Sequence, residues 1–228
     1  MISINIAQIA DEMKKEGDVA MNKILNRRFR LRVTYDQFTQ LFAQSANYIL
    51  RINGFSHNFT VDNRNESTLK QLHLYLAQSD QFAGDLRKGI MLQGRYGCGK
   101  SLLMESYAHL QNYLIKRYEV YTFPLLTFTT SNFLCTEIAK NGVQPYAKRV
   151  FVIDEFGREP KSVMDFGNTY HPMAELISVR ADKPTITHGT TNFTLETLTS
   201  DGFYGSMIGD RLRAMFNFIV LDGGSRRM

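Results

Sequence analysis

The feature that most constrains this chain is Gly94-Arg95-Tyr96-Gly97-Cys98-Gly99-Lys100-Ser101, preceded by the apolar run Gly89–Gln93 and followed by an apolar helical pattern from Leu102. It fits G-x-x-x-x-G-K-[ST] in the order strand, glycine loop, helix, the context that a phosphate-binding loop requires. Gly94, Gly97 and Gly99 let the backbone turn with no Cβ in the way, so successive N–H groups can converge on phosphate oxygens. The helix that starts at Lys100 adds its positive end. Lys100 brings a mobile charge to the β- and γ-phosphates, and the Ser101 hydroxyl is a ligand for Mg²⁺. Residues 94–102, closing with Leu102, are therefore expected to hold a nucleoside triphosphate, ATP with Mg²⁺.

A partner motif lies downstream. Val150-Phe151-Val152-Ile153 is a strand buried on both faces, and Asp154-Glu155 closes it. Open α/β sheets place ligands at the carboxyl ends of their strands. There Asp154 is expected to hold Mg²⁺, and Glu155 to orient and polarise an attacking water. A helix cap or turn is the alternative for the acidic pair taken alone. Thr185 to Thr190 reads as a further core strand, ending at Thr191-Asn192. The Asn192 amide suits both water and γ-phosphate; it also suits a turn, or a cap for a helix starting near Thr194.

The remaining segments fall into place around these motifs. A first helix is expected from about Ile4 to Asn26, interrupted at Gly17-Asp18. Lys23, Arg27, Arg28, Arg30 and Arg32 then alternate with Phe29, Leu31 and Val33, either as a docking surface for nucleic acid or a partner, or as a solvated face. Thr34 caps a second helix that stops at Asn53-Gly54. Phe55 to Asn65 reads as a linker, and Glu66 to Gln78 as a third helix. Residues 1–65 are thus expected to form a helical partner-binding region and 66–228 the nucleotide domain. After the helix that ends near Arg117, Val120–Thr130 reads as extended, with Ser131 capping a helix through Lys140. A helix follows Pro172, Lys183-Pro184 breaks it, and residues 204–213 form another before the strand Phe216–Leu221. His57 and His73 have no Cys or His at ligand spacing, so no zinc site is expected.

Composition sets outer bounds. A chain of 228 residues with 43 % hydrophobic and 21 % charged residues holds one ordinary α/β domain plus a small appendage. The net charge of +5 suits an acidic partner such as nucleic acid. Two cysteines, Cys98 and Cys135, make no disulfide framework and point to a reducing cytoplasm. No apolar run approaches the roughly 18 residues that a membrane span needs.

Together, GRYGCGKS, VFVIDEFGREP, AELISVRADKPTITHGTTN and YGSMIGDRLRAMFNFIVLDGGSRR resemble the AAA+ ATPases of the DnaC-type helicase loader and IstB-type transposition-helper group, over roughly Leu69 to Arg227. That resemblance implies an α/β P-loop NTPase: a parallel sheet sandwiched by helices, with a small helical N-terminal domain and no C-terminal lid. It implies slow, assembly- or DNA-dependent ATP hydrolysis at a subunit interface. It makes Asn192 the sensor-1 residue and Arg211 the arginine finger, with Arg213 as the nearby alternative. Arg226 or Arg227 would stand in for a missing sensor-2 arginine. The implied partners are a hexameric replicative helicase, single-stranded DNA and further copies in a ring or spiral, with no membrane. A transposase target selector, a nucleotide-gated module without hydrolysis and a small-molecule kinase are the rival functions.

Overall fold

The computed structural model describes residues 6–25, 28–160, 162–165, 168–183 and 185–226. Ile4 and Asn26 (the expected limits of the first helix), Arg27, the Pro184 break and Arg227 lie outside these residues. The core is a five-stranded sheet of β1 (Gly89–Gln93), β2 (Thr127–Thr130), β3 (Phe151–Phe156), β6 (Thr187–Thr191) and β7 (Phe216–Val220), in the order β2-β3-β6-β1-β7. Every pairing in it is parallel. Each strand must therefore return through a crossover, and helices cover both faces. A separate antiparallel pair, β4 (Val163–Asp165) and β5 (Asn168–Tyr170), was not foreseen in the sequence.

One face is covered by α2 (Tyr35–Ile52), α3 (Glu66–Leu76) and α4 (Lys100–Arg117). Their Phe38, Phe42, Ala46, Leu69, Leu72, Leu103 and Tyr107 pack with Ile90 and Leu92 of β1 and Val152 of β3 in one cluster. On the other face, α5 (Ser131–Asn141), α6 (Pro172–Ala181), α7 (Leu195–Thr199) and α8 (Gly205–Met215) bring Leu134, Ile138, Leu176, Leu198 and Leu212 against Met91, Ile153 and Phe216. Ile90, Met91 and Leu92 thus alternate between the two layers, as the pleat dictates. Each such side chain stabilises the fold by about 1.5–3 kcal/mol on burial. The helices on either side of residue 65 share one core, since α2 contributes Phe38 and Phe42 to the same cluster as α3 and α4.

Thr34 caps α2 as expected, and does so in a full capping box. Its hydroxyl accepts from the Gln37 amide at 3.2 Å, while the Gln37 side chain accepts from the Thr34 amide at 3.0 Å. Three local expectations need correction. The first helix, α1 (Ile6–Leu25), runs through Gly17-Asp18 without a break, because one exposed glycine costs only about 1 kcal/mol among good helix formers. The extended run 120–130 pairs with the sheet only at β2. Upstream, the Asn112 amide of α4 both donates to and accepts from the Leu126 backbone, each at 2.8 Å, and so holds that segment against the helix instead. The cap of α5 is Thr130, whose hydroxyl accepts from the Phe133 amide, and not Ser131. Among the described residues, no helix is long and apolar enough to cross a membrane.

Candidate nucleotide site

The strand order decides which motifs meet. β6 lies between β1 and β3, so the carboxyl ends of all three open on one edge: the loop after β1, Asn192 after β6, and Asp154-Glu155 on β3. The loop turns through Gly97 and Gly99, with φ of 76° and 106°, a conformation that L side chains rarely adopt. Gly99 is the N-cap of α4. Gly94 is needed for a different reason, since a Cβ there would lie 2.5 Å from the Leu221 carbonyl oxygen.

Lys100 is 6 % exposed. Its Nζ donates to the Gly94 and Arg95 carbonyls at 2.9 and 2.8 Å and to Asn192 Oδ1 at 2.7 Å. Among the described residues, no carboxylate lies within ion-pair distance of it. Burial pushes the amine's pKa down, against the opposing pull of Cys98, Asp154 and Glu155. It also lies 3.8 Å from Cys98 Sγ, and a buried cation held by backbone and amide oxygens fits an anionic ligand. Cys98 is buried beside it, Leu102 packs on the α2–α4 cluster, and Arg95 and Tyr96 are exposed at the rim.

The carboxylates are held differently. Thr190 donates its hydroxyl to Asp154 Oδ1 at 2.5 Å and accepts from the Glu155 amide at 3.0 Å, so one side chain on β6 fixes both residues. The β3–β6 register slips between Ile153 and Phe156, and Glu155 takes a positive φ of 58°. A strained, non-glycine residue at a strand end is a recurrent mark of functional sites. Its carboxylate forms an ion pair with Arg158, whose guanidinium also lies 5.8 Å from the centre of the Tyr96 ring. Asp154 and Ser101 carry hard oxygen donors of the kind that Mg²⁺ takes alongside substrate phosphates.

Glu159 is also buried, and burial raises its pKa. It accepts from the Gly157 amide at 2.9 Å and from the Tyr204 hydroxyl, tying the loop after β3 to the residue that precedes α8. On α8, Arg211 donates to the Ser178 carbonyl at 2.7 Å and lies 3.7 Å from Asp182, so it faces α6 of its own chain. Arg213 is exposed. Arg226 donates both guanidinium nitrogens to Asp62, at 3.0 and 2.7 Å.

Sequence reading missed Thr190, Arg158, Glu159 and Asp62. Thr190 carried a usable signal, because a hydroxyl in a strand buried at every position needs a specific partner. Glu159, four residues beyond the acidic pair, offered none without the fold.

The sheet order, the loop and the strand-end acids together make this a P-loop NTPase fold. No family model and no curated protein matches the sequence. Solved structures do match. A candidate primosome component from Streptococcus pyogenes serotype M3 aligns at 18 % identity and TM-score 0.51, over 73 % of this chain and 84 % of that one. DnaI aligns at 22 % identity and TM-score 0.53, over 75 % and 89 %. A DnaC helicase loader aligns at 17 % and TM-score 0.49, over 72 % and 93 %. At these identities the likeness, carried by the first two, is one of fold. It agrees with the resemblance to the DnaC-type loader group carried by the motifs.

Proposed function

We propose that this protein is an ATPase of replicative helicase loading. ATP binds on residues 94–102, and its hydrolysis to ADP and phosphate switches the grip of an oligomer, ring or spiral, on a hexameric helicase and on single-stranded DNA. The observation that supports this most is the buried Lys100 amine, which has no carboxylate within ion-pair distance among the described residues and sits beside Asn192 at the mouth of the glycine loop. The likeness in fold to DnaI and the primosome component supports the replication context.

In this reading Ser101 and Asp154 would hold Mg²⁺, which would supply charge neutralisation at the β- and γ-phosphates. Lys100 exchanges its carbonyl acceptors for phosphate oxygens. Asn192 then hydrogen-bonds the attacking water and the γ-phosphate. Glu155 accepts the proton of that water once its carboxylate parts from Arg158. The Glu155–Arg158 pair occupies the base, so turnover is expected to be slow until assembly separates the two. Arg211 acts in trans on a neighbour's nucleotide, where a fixed guanidinium stabilises the transferring phosphoryl group. Residues 1–65 select the partner, so the division at residue 65 is one of role, although α2 shares the core of 66–228.

Glu155→Gln tests the mechanism. ATP binding should persist within twofold while phosphate release falls by about 10²-fold or more; undiminished release removes Glu155 from the reaction. Capture of a hexameric helicase by the full chain supports the loading role, and capture of a transposase instead overturns it.

A further inference from the structure

After β7 the chain crosses back over the phosphate loop. The Arg226 amide donates to the Gly97 carbonyl at 2.9 Å. Ser225 lies so close that a Cβ on Gly97 would come within 2.4 Å of its hydroxyl, and one on Gly99 would lie 3.6 Å from Arg226 Cδ. The strap is anchored at its end by the two-pronged Arg226–Asp62 pair, between residues 164 apart in sequence. Asp62 is itself held in the turn that starts α3. Its amide donates to Asn65 Oδ1 at 2.9 Å, and its carbonyl accepts from the Asn65 and Glu66 amides at 3.1 and 2.9 Å. Further back, the Arg64 side chain lies against Gly223.

We infer that Asp62 is a positioning residue for the phosphate loop, acting through Arg226. This rests on the reading of residues 94–102 as the nucleotide site. In a trans peptide the C=O and the following N–H point in opposite directions, and this chain has no cis bond among the described residues. Holding the Gly97 carbonyl against the strap therefore turns the Cys98 N–H the other way, into the loop. That N–H points at the Arg95 carbonyl at 3.4 Å, the same oxygen that Lys100 Nζ contacts at 2.8 Å. The two donors already converge on one acceptor, so a phosphate oxygen that replaces this carbonyl meets both at once. A Gly97 carbonyl turned inward would instead repel it. Asp62 supplies the fixed point: a bidentate carboxylate–guanidinium pair fixes orientation as well as position, and the Arg226 carboxylate partner comes from the layer that precedes the nucleotide domain.

The test compares wild type with Asp62→Asn, Arg226→Met and the double variant, reading Mg-ADP and Mg-ATP affinity with a fluorescent nucleotide. Exchange of the Gly97–Lys100 amides with deuterium in nucleotide-free protein gives a second readout. Each single change should weaken nucleotide binding by about three- to fivefold, the upper end of what a partly exposed ion pair supplies. The double variant should be no weaker than either single one, and Asp62→Glu should bind within twofold of wild type. Loop amides should exchange faster in both single variants. Unchanged or tighter binding in Asp62→Asn overturns the inference, as do losses that multiply in the double variant. An Arg226→Met loss far beyond that of Asp62→Asn overturns it too, because the guanidinium would then act on the nucleotide itself. If wild type binds no nucleotide, the proposed function falls, and the exchange data alone decide the positioning role: unchanged exchange overturns it.

Discussion

Two helices of similar length begin this chain and meet opposite fates. α1 and α2 span 20 and 18 residues, and both carry apolar positions at helical spacing. α2 buries Phe38, Phe42 and Ala46 completely, whereas Ile6 and Met13 of α1 remain 78 % and 67 % exposed. Every side chain described between Ile9 and Ala20 is exposed. The difference teaches that periodicity defines a face but not what covers it. α2 has a capping box to set its start and a neighbour, α4, to receive its stripe. Along its exposed length α1 carries an i,i+4 pair, Lys15 with Asp11, at 2.8 Å, and solvent-exposed pairs of this kind add little. The Gln78 side chain reaches it at its last residue, donating to the Leu25 carbonyl at 3.2 Å. Under the proposed function, the uncovered face of α1 is where a partner is selected.

The contrast predicts a graded set of effects. Phe42→Ala should be the most damaging, lowering unfolding free energy in urea by about 3–5 kcal/mol, because a fully buried ring leaves a cavity. A loss below about 1 kcal/mol would mean that α2 is not part of the common core. Thr34→Ala removes the cap that starts α2 and should cost about 1 kcal/mol in the same measurement. The pair Ile9→Ala with Met13→Ala should alter stability by less than about 0.5 kcal/mol. It should nevertheless abolish capture of the helicase; a large destabilisation would show that α1 packs on the domain after all.

A last and smallest effect concerns the connection that follows α2. The hydrogen bond from Arg226 holds the Asp62 carboxyl below its ordinary value of 3.8, with Arg64 adding to the effect. A depressed carboxyl contributes stability that is present above its unfolded value and is lost as pH falls through its folded one. Wild type should therefore lose slightly more stability than Asp62→Asn between about pH 5 and 3, where the unfolded chain takes up the proton first. Parallel pH profiles for the two proteins would remove Asp62 from the link between the N-terminal layer and the loop.

Much of the site was legible because its chemistry is local. A glycine loop after a strand and before a helix can be recognised from eight residues, and the acids after Val150–Ile153 stand out because four apolar residues precede them. Expecting Asn192 at the site needed one further step, the reading of Thr185 to Thr190 as a core strand, and its Oδ1 lies 2.7 Å from Lys100 Nζ. What escaped were partners contributed from other elements. Arg158 reaches Glu155 as an ion-pair partner only because the bulge after Ile153 and the positive φ at Glu155 turn the chain back on itself. Thr190 reaches Asp154 only because β6 happens to be the neighbour of β3.

The amino-acid order alone marked the candidate phosphate loop, the carboxylates at the end of a buried strand and the helical faces, since each depends on spacing along a single segment. The tertiary structure decided that β6 runs between β1 and β3, that α2 is covered and α1 is not, and that Asp62 meets Arg226 across 164 residues. The physical reason is that crossover connections, not spacing, choose which strand ends stand side by side. A charge or hydroxyl carries no mark in the sequence of the distant group that will satisfy it.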